Sequence, residues 1–382
     1  MTQAARPWLA PLVPLYRFGI ALRGLGLHSG LEPVRRLGTP VVSIGNLSTG
    51  GAGKTPLAIA LARALVARGL HVDVLSRGYS RTGQATARVD PNGTAEDFGD
   101  EPLVIAREAG VQVYLAPQRY QAGLLAERES ATSISGPREV SGRDNRSSDK
   151  TPAGIRLVSG HDFSRAEEAR KNDGALAHAA AIRALHLLDD GFQHRQIHRD
   201  VDILLLAVTD LEDRLLPAGN LREPLGAMRR ASVVALTMPE APIVEQTLRS
   251  RGLWQGPVWR LHRRMQVPAI EGPVVAFCGI ARPDQFITGL ESAGLHVASR
   301  IAFADHQRYV QHDIDCVLDA AHTTRAVALI TTEKDRVRLA PLLSSIPAGL
   351  PLETAGLRIE IEDETSAIDW LLGRVAEGRL TP

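Results

Sequence analysis

Residues 48–55, Ser-Thr-Gly-Gly-Ala-Gly-Lys-Thr, constrain this chain more than any other segment. A short β-branched run, VVSIGN, comes before them and a helix-forming run, PLAIALARALVARG, comes after. Gly50, Gly51 and Gly53 permit backbone angles closed to other residues, so several N–H groups can turn toward one anion. The helix that follows presents its positive N-terminus to the same point. Lys54 brings a mobile charge for β- and γ-phosphates, and Thr55 a hydroxyl for Mg²⁺. Ser48, Thr49 and Ala52 complete the cradle, with Ser48 standing where the general pattern has glycine. A structural turn that happens to contain Lys-Thr is the bland alternative, and the strand before and helix after weigh against it. The loop predicts a nucleoside triphosphate with Mg²⁺ and says less about which reaction follows.

The same alternation continues downstream. HVDVLS, VQVYLA, ALHLLDD, VDILLLAV and VVALTM read as buried strands separated by helices, the pattern of a parallel sheet covered on both faces. A smaller unit begins near residue 270, where VVAFCGIA, a helix at about 283–293, HVASRIAF and VALITTEKD repeat the alternation. The expected fold class is therefore α/β: a P-loop-type parallel sheet flanked by helices, a second, smaller α/β unit, and an N-terminal amphipathic helix. Expected bounds are 1–35 for the helix region, 36–268 for the P-loop unit and 269–382 for the smaller one. Residues 127–175, rich in Ser, Arg, Asp and Gly, break the rhythm and read as a flexible surface insertion.

Composition narrows the partners. The formal net charge of +1 over 382 residues gives no reason to expect nucleic acid. Cys278 and Cys316 stand far apart, outside any zinc spacing, which fits a reducing compartment. The apolar stretch 7–31 is interrupted by Arg17 and Arg23, so it reads neither as a secretory signal nor as a spanning helix. Leu12, Leu15, Tyr16, Ile20 and Leu27 recur at helical spacing, with Trp8 at one end. Two readings stay open: a helix lying in a membrane interface, or an amphipathic helix packed on its own domain.

Charged clusters mark the remaining candidates. Asp189 and Asp190 follow an apolar strand directly, at the edge where parallel sheets bind ligands, and suit a hard Mg²⁺ ion. Arg222, in the loop LLPAGNLREP, can fork onto phosphate oxygens. His306 beside Asp305 can steady a base or carry a proton. The acidic loop Gly99–Pro102 and the basic one Ser76–Tyr79 would each be read alone as turns.

Together, SIGNLSTGGAGKTP, SRGY, GDEP, LLDDGFQHR, LLPAGNLREP, GIARP, FADHQRY and TTEKD resemble, in order over about residues 40–335, the tetraacyldisaccharide 4'-kinases, the lipid A 4'-kinases of Gram-negative bacteria. The 127–175 stretch is unlike the compact family pattern but touches no motif. The resemblance implies ATP-dependent phosphorylation of the 4'-hydroxyl of a lipid A disaccharide 1-phosphate, giving lipid IVA, at the cytoplasmic face of the inner membrane. It favours the interfacial reading of the N-terminal helix, and implies no protein partner. It implies Asp100 as general base paired with His306, and Lys54, Arg77 and Arg222 on phosphates. It places Thr55, Asp189, Asp190 and Glu223 toward Mg²⁺, and Gln193 with His194 along the cleft. A membrane-associated P-loop ATPase switch is the alternative, and it would need neither Asp100 nor a His306-bearing second unit.

Overall fold

The structure, a computed structural model, describes residues 6–50, 53–79, 81–134 and 182–380. A 3-10 turn (Pro7–Leu12) leads into α1 (Val13–His28), then β1 (Val41–Asn46), α2 (Lys54–Ala67), β2 (His71–Ser76) and β3 (Ala87–Arg88). The chain continues through α3 (Ala95–Phe98), α4 (Asp100–Ala109), β4 (Gln112–Leu115), α5 (Arg119–Ile134), β5 (Ala184–Asp189), β6 (Val201–Leu206) and β7 (Val233–Thr237). Next come α6 (Ala241–Ser250), β8 (Val258–Gln266), β9 (Pro273–Cys278), α7 (Pro283–Ser292) and β10 (His296–Ala302). The last elements are α8 (Gln311–Thr324), β11 (Ala328–Thr332), α9 (Glu333–Arg338), β12 (Leu352–Ile361) and α10 (Glu364–Leu380).

The twelve strands among the described residues join one sheet, ordered β10-β9-β11-β12-β8-β7-β6-β1-β5-β2-β4-β3. β1 sits between β5 and β6, parallel to both, and all six of its residues are buried. That is why VVSIGN lacks the polar alternation of a half-solvated strand. The P-loop unit is parallel from β8 to β4. β9 to β12 form a second parallel set. The two meet where β12 pairs antiparallel with β8, from Gly356↔Gln266 to Ile361↔Leu261.

Two boundaries differ from expectation. α10 does not stay with the smaller unit: Ala367, Ile368, Leu371, Leu372 and Val375 enter the core built by β1 and α2. Trp370 meets Trp259 edge-on at 5.8 Å, and Arg379 pairs with Asp200 at 3.0 Å. Residues 127–134 are the last turns of α5 rather than insertion. Glu127 accepts the Thr39 N–H at 2.7 Å, and Glu129 accepts from Arg88 and from the Tyr114 hydroxyl at 3.1 Å each. The rest of the expected insertion lies outside the described residues.

The N-terminal helical spacing divides between two faces. Val13 and Tyr16 pack on the core under β6 and β7, and Leu27 is buried. Leu12 and Leu15 instead join Trp8, Phe18, Leu22 and Leu25 in an exposed row, Trp8 at 73% and Leu15 at 69% exposure. No helix among the described residues is long and apolar enough to cross a membrane.

The turn after β5 closes on the end of β1 so tightly that a Cβ at Gly45 would lie 2.5 Å from the Phe192 Cβ and 2.8 Å from its backbone nitrogen. Gly45→Ala is expected to lower stability by about 1–3 kcal/mol through overpacking, read as a lower denaturant midpoint. An unchanged midpoint would show that this turn is free to move.

Candidate active site

The P-loop begins at the carboxyl end of β1 and is pinned by the Leu215–Pro224 loop. The Arg222 N–H donates to the Leu47 carbonyl at 2.7 Å, the Thr49 N–H to the Asn220 carbonyl at 2.8 Å, and Ser48 bridges to Leu221. Gly50 (φ 105°) and Gly53 (φ 89°) both take the left-handed backbone that glycine allows. Gly51 and Ala52 lie outside the described residues. Thr55 is buried in the first turn of α2.

Asp190, itself left-handed at φ 49°, collects the cations. Arg222 forks onto both its oxygens at 2.9 and 3.0 Å, and Lys54 approaches at 3.2 Å. Asn46, unselected in the sequence, takes a hydrogen bond from Lys54 at 2.9 Å and another from Arg222. Gln193 donates to the Asn46 carbonyl at 2.9 Å. Burial pushes the Asp190 pKa up, but Arg222 and Lys54 outweigh it and hold the carboxyl well below its usual range.

Asp189 has the opposite environment. Its nearest hydrogen-bond donor among the described residues is the Ser76 hydroxyl at 3.4 Å. Burial, then the charges of Glu101 and Asp190, raise its pKa to about 6 against the pull of Lys54 and Arg119. A buried, under-compensated carboxylate fits Mg²⁺, which takes one or two protein oxygens and fills its shell with phosphate oxygens and water. The other metal candidates are engaged: Asp190 as above, and Glu223 with Arg230 at 2.8 Å. No cluster of three or more His, Cys, Asp or Glu suited to a metal occurs among the described residues.

Asp100 opens α4, buried, and meets the second unit. His306 Nδ1, on a left-handed residue (φ 58°), lies 3.6 Å from its carboxylate, so the two halves of the expected pair do come together. Arg338, unread in the sequence, binds the same oxygen and also Asp335 at 3.0 Å and the Gly279 carbonyl at 2.8 Å. Lys334 reaches Glu101 at 2.5 Å. Burial would raise the Asp100 pKa; the His306 hydrogen bond, Arg338 and Lys334 instead hold it well below the carboxylate range. The signal for Arg338 was present, since Asp335 and Arg338 are three residues apart on one helix.

Three more residues line this region. Arg77 is exposed at the end of β2. His194 is half-buried, its pKa lowered to about 4 by burial and then by Arg119, Arg199, Arg23 and Arg77. Arg119, the first residue of α5, is 8% exposed, and its Nε has no hydrogen-bond partner. Burial lowers its pKa while Asp190 and Asp189 push it back. Nothing in the sequence near Arg119 signals this role.

A profile of the tetraacyldisaccharide-1-P 4'-kinase family matches residues 5–135 and 164–376, stepping over part of the serine-rich stretch. A tetraacyldisaccharide 4'-kinase of Koribacter versatilis is 34% identical over 372 residues, spanning 95% of this chain and 97% of its own. Another, from Anaeromyxobacter dehalogenans strain 2CP-C, is 35% identical over 367 residues, 90% and 83% of the two chains. Among solved structures, LpxK from Aquifex aeolicus in complex with ATP superposes with a TM-score of 0.66 at 27% identity, covering 97% of this chain and 99% of that one.

The Asp100–His306 contact has a pH signature. The hydrogen bond to Asp100 is the main cause of a raised His306 pKa, so the contact's stability is complete below about 6.5 and is lost as pH rises through the raised value. Wild type is therefore expected to lose more of its thermal midpoint than His306→Gln between about pH 5.5 and about pH 8.5. Parallel curves for the two proteins would refute the pairing.

Proposed function

Because this chain belongs to the tetraacyldisaccharide-1-P 4'-kinase family, we propose how its side chains divide the transfer of the ATP γ-phosphoryl group to the 4'-hydroxyl of a tetraacyldisaccharide 1-phosphate. The observation that carries the assignment is the meeting of Asp100 and His306 from two units beside the Lys54–Asp190–Arg222 cluster. The charge of Glu101, next to Asp100, acts on Asp189, and this supports reading both groups as bordering one site.

Lys54 and Arg222 leave Asp190 for the nucleotide phosphates, with Arg77 and Arg119 adding positive charge on the acceptor side. Thr55 and Asp189 would hold the Mg²⁺ that accompanies ATP, and Glu223, paired with Arg230, would be free to join them only on leaving that pair. When bound, that ion neutralises charge on the β- and γ-phosphates. Asp100 accepts the proton of the 4'-hydroxyl, and His306 fixes the carboxylate's orientation. A depressed pKa suits this role, because in a loose phosphoryl-transfer transition state the proton moves late and little basicity is needed. Gln193 and His194 line the acceptor cleft.

The exposed row Trp8, Leu12, Leu15, Phe18, Leu22 and Leu25, with Arg17 and Arg23 beside it, lies in the membrane interface at the cytoplasmic face of the inner membrane. Such a contiguous apolar stripe on a helix that already packs its other side is what supports this placement.

Transfer of labelled γ-phosphate from ATP to the disaccharide 1-phosphate in detergent micelles tests the reading. Lys54→Ala is expected to abolish labelling, and Asp100→Ala and His306→Ala to lower kcat by about 10²-fold or more while KM for ATP changes by less than about threefold. Release of free phosphate with no labelled lipid would favour the ATPase switch instead. A Leu15→Glu, Phe18→Glu double substitution is expected to shift the protein off sedimented phospholipid vesicles; unchanged sedimentation would return α1 to a purely internal role.

A further inference from the structure

The general phosphate-loop pattern has glycine where this chain has Ser48, and the fold gives the added hydroxyl a task. Asp210 lies in the 3-10 turn Val208–Leu211, which follows β6, and it is 2% exposed. Its carboxylate accepts the Ala207 N–H at 2.9 Å and the Ser48 hydroxyl. Burial is the main cause of a raised Asp210 pKa, with Asp213 adding to it, while those two bonds and the charge of Arg282 pull the other way. The chemistry above gives Asp210 no part.

Hydrogen-bond polarity ties this carboxylate to the phosphate-binding cations. A hydroxyl has one proton to give. With that proton on Asp210, Ser48 Oγ is left as the acceptor for Asn46 Nδ2, at 3.5 Å the longest link of the series. An amide that turns its nitrogen to Ser48 turns its oxygen the other way. Asn46 Oδ1 accordingly accepts from Lys54 at 2.9 Å and from Arg222. Asn46 is fully buried and Ser48 is 9% exposed, so water offers little substitute for a lost partner. The series therefore runs in one sense: Lys54 and Arg222 donate to Asn46, Asn46 to Ser48, and Ser48 to Asp210.

We propose that Asp210 is a positioning residue for the phosphate-binding cations: through Ser48 it fixes the Asn46 amide, which holds Lys54 and Arg222 where the nucleotide phosphates bind. This rests on the kinase reading above and deepens it. A cap on the 3-10 turn asks for less, a single acceptor for the Ala207 N–H, and asparagine would supply that. The series asks for a carboxylate. Asparagine keeps one oxygen but replaces the other with a donor, and it loses the charge that makes Asp210 a strong acceptor for the hydroxyl.

ATP affinity of the full-length enzyme, measured by titration calorimetry, tests this with Asp210→Asn, Asn46→Ala and the double variant. Each single substitution is expected to weaken ATP binding about tenfold. The double variant is expected to bind no more weakly than Asn46→Ala alone, because the effect of Asp210 passes through Asn46. Independent losses, about a hundredfold in the double variant, would overturn the proposal, since a structural role for Asp210 would add to the loss of Asn46. Unchanged affinity in Asp210→Asn would overturn it as well. Ser48→Ala leaves the Ala207 bond in place and should reproduce the loss even where Asp210→Asn does not fold; unchanged affinity in Ser48→Ala would also refute the series. Wild type that does not bind ATP would sink the nucleotide reading itself, whereas wild type that binds it beside unaffected variants would sink the series alone.

Discussion

Two neighbouring carboxylates at the end of a fully buried strand set the terms for everything around them. Asp189 and Asp190 cannot both be ionised in a low-dielectric pocket without compensation, because each raises the cost of charge on the other. The fold compensates them unequally. Asp190 receives Lys54 and the fork of Arg222, while Asp189 keeps a hydroxyl contact and a raised pKa. On the proposed assignment, this inequality makes a cation-binding, anion-accepting site: one carboxylate would hold the mobile cations ready for phosphates, and the other would be left wanting a cation of its own. Asn46, buried at the tip of β1, keeps Lys54 and Arg222 on the same side of that arrangement.

The second unit meets the first through charge as well as through the β8–β12 ladder. Asp100, Glu101, Lys334, Arg338 and His306 make an alternating set across α4, α9 and the loop after β10. Within the set Asp100 and Arg338 are the buried pair, and removing Asp100 would leave the guanidinium uncompensated at a cost of about 3–5 kcal/mol. Arg338 is also anchored to Asp335, which accepts the Gly279 N–H at 3.1 Å and the Thr332 hydroxyl at 2.6 Å. The GIARP and TTEKD motifs thus act indirectly, by presenting Arg338 to Asp100.

Local patterns in the sequence carried the strands, the P-loop and the strand-end carboxylates, because each depends on residues adjacent in the chain. VVSIGN, for example, declares a two-sided burial through its lack of alternation. The Asp100–His306 contact joins residues 206 apart, and it was reachable only through the resemblance. What stayed hidden was set by tertiary packing. Helical spacing in α1 could not say that Tyr16 and Leu27 face inward while Leu12 and Leu15 face out. The polar character of residues 127–134 resembled the insertion that follows, yet Glu127 and Glu129 are polar because they bond Thr39, Arg88 and Tyr114. Likewise Arg119 looks like any arginine at a helix start until its burial beside two aspartates is seen.

If α1 lies in a membrane interface as proposed, Arg222 puts that attachment and the chemistry in register. Its guanidinium forks onto Asp190, its N–H donates to the Leu47 carbonyl at the start of the P-loop, and its own carbonyl accepts the Tyr16 hydroxyl of α1 at 3.0 Å. One residue therefore links the end of β5, the end of β1 and the helix that carries the exposed apolar row. A second link comes from the Arg6 N–H, which donates to the Ala218 carbonyl in the same loop at 2.8 Å. With α1 fixed this way, the plane in which its apolar row lies also fixes the height of the phosphate loop above that plane. On the proposed placement, an acylated disaccharide would not need to leave the interface to react: its sugar end would reach the site at a distance set by the protein, which is the positional control that phosphoryl transfer depends on.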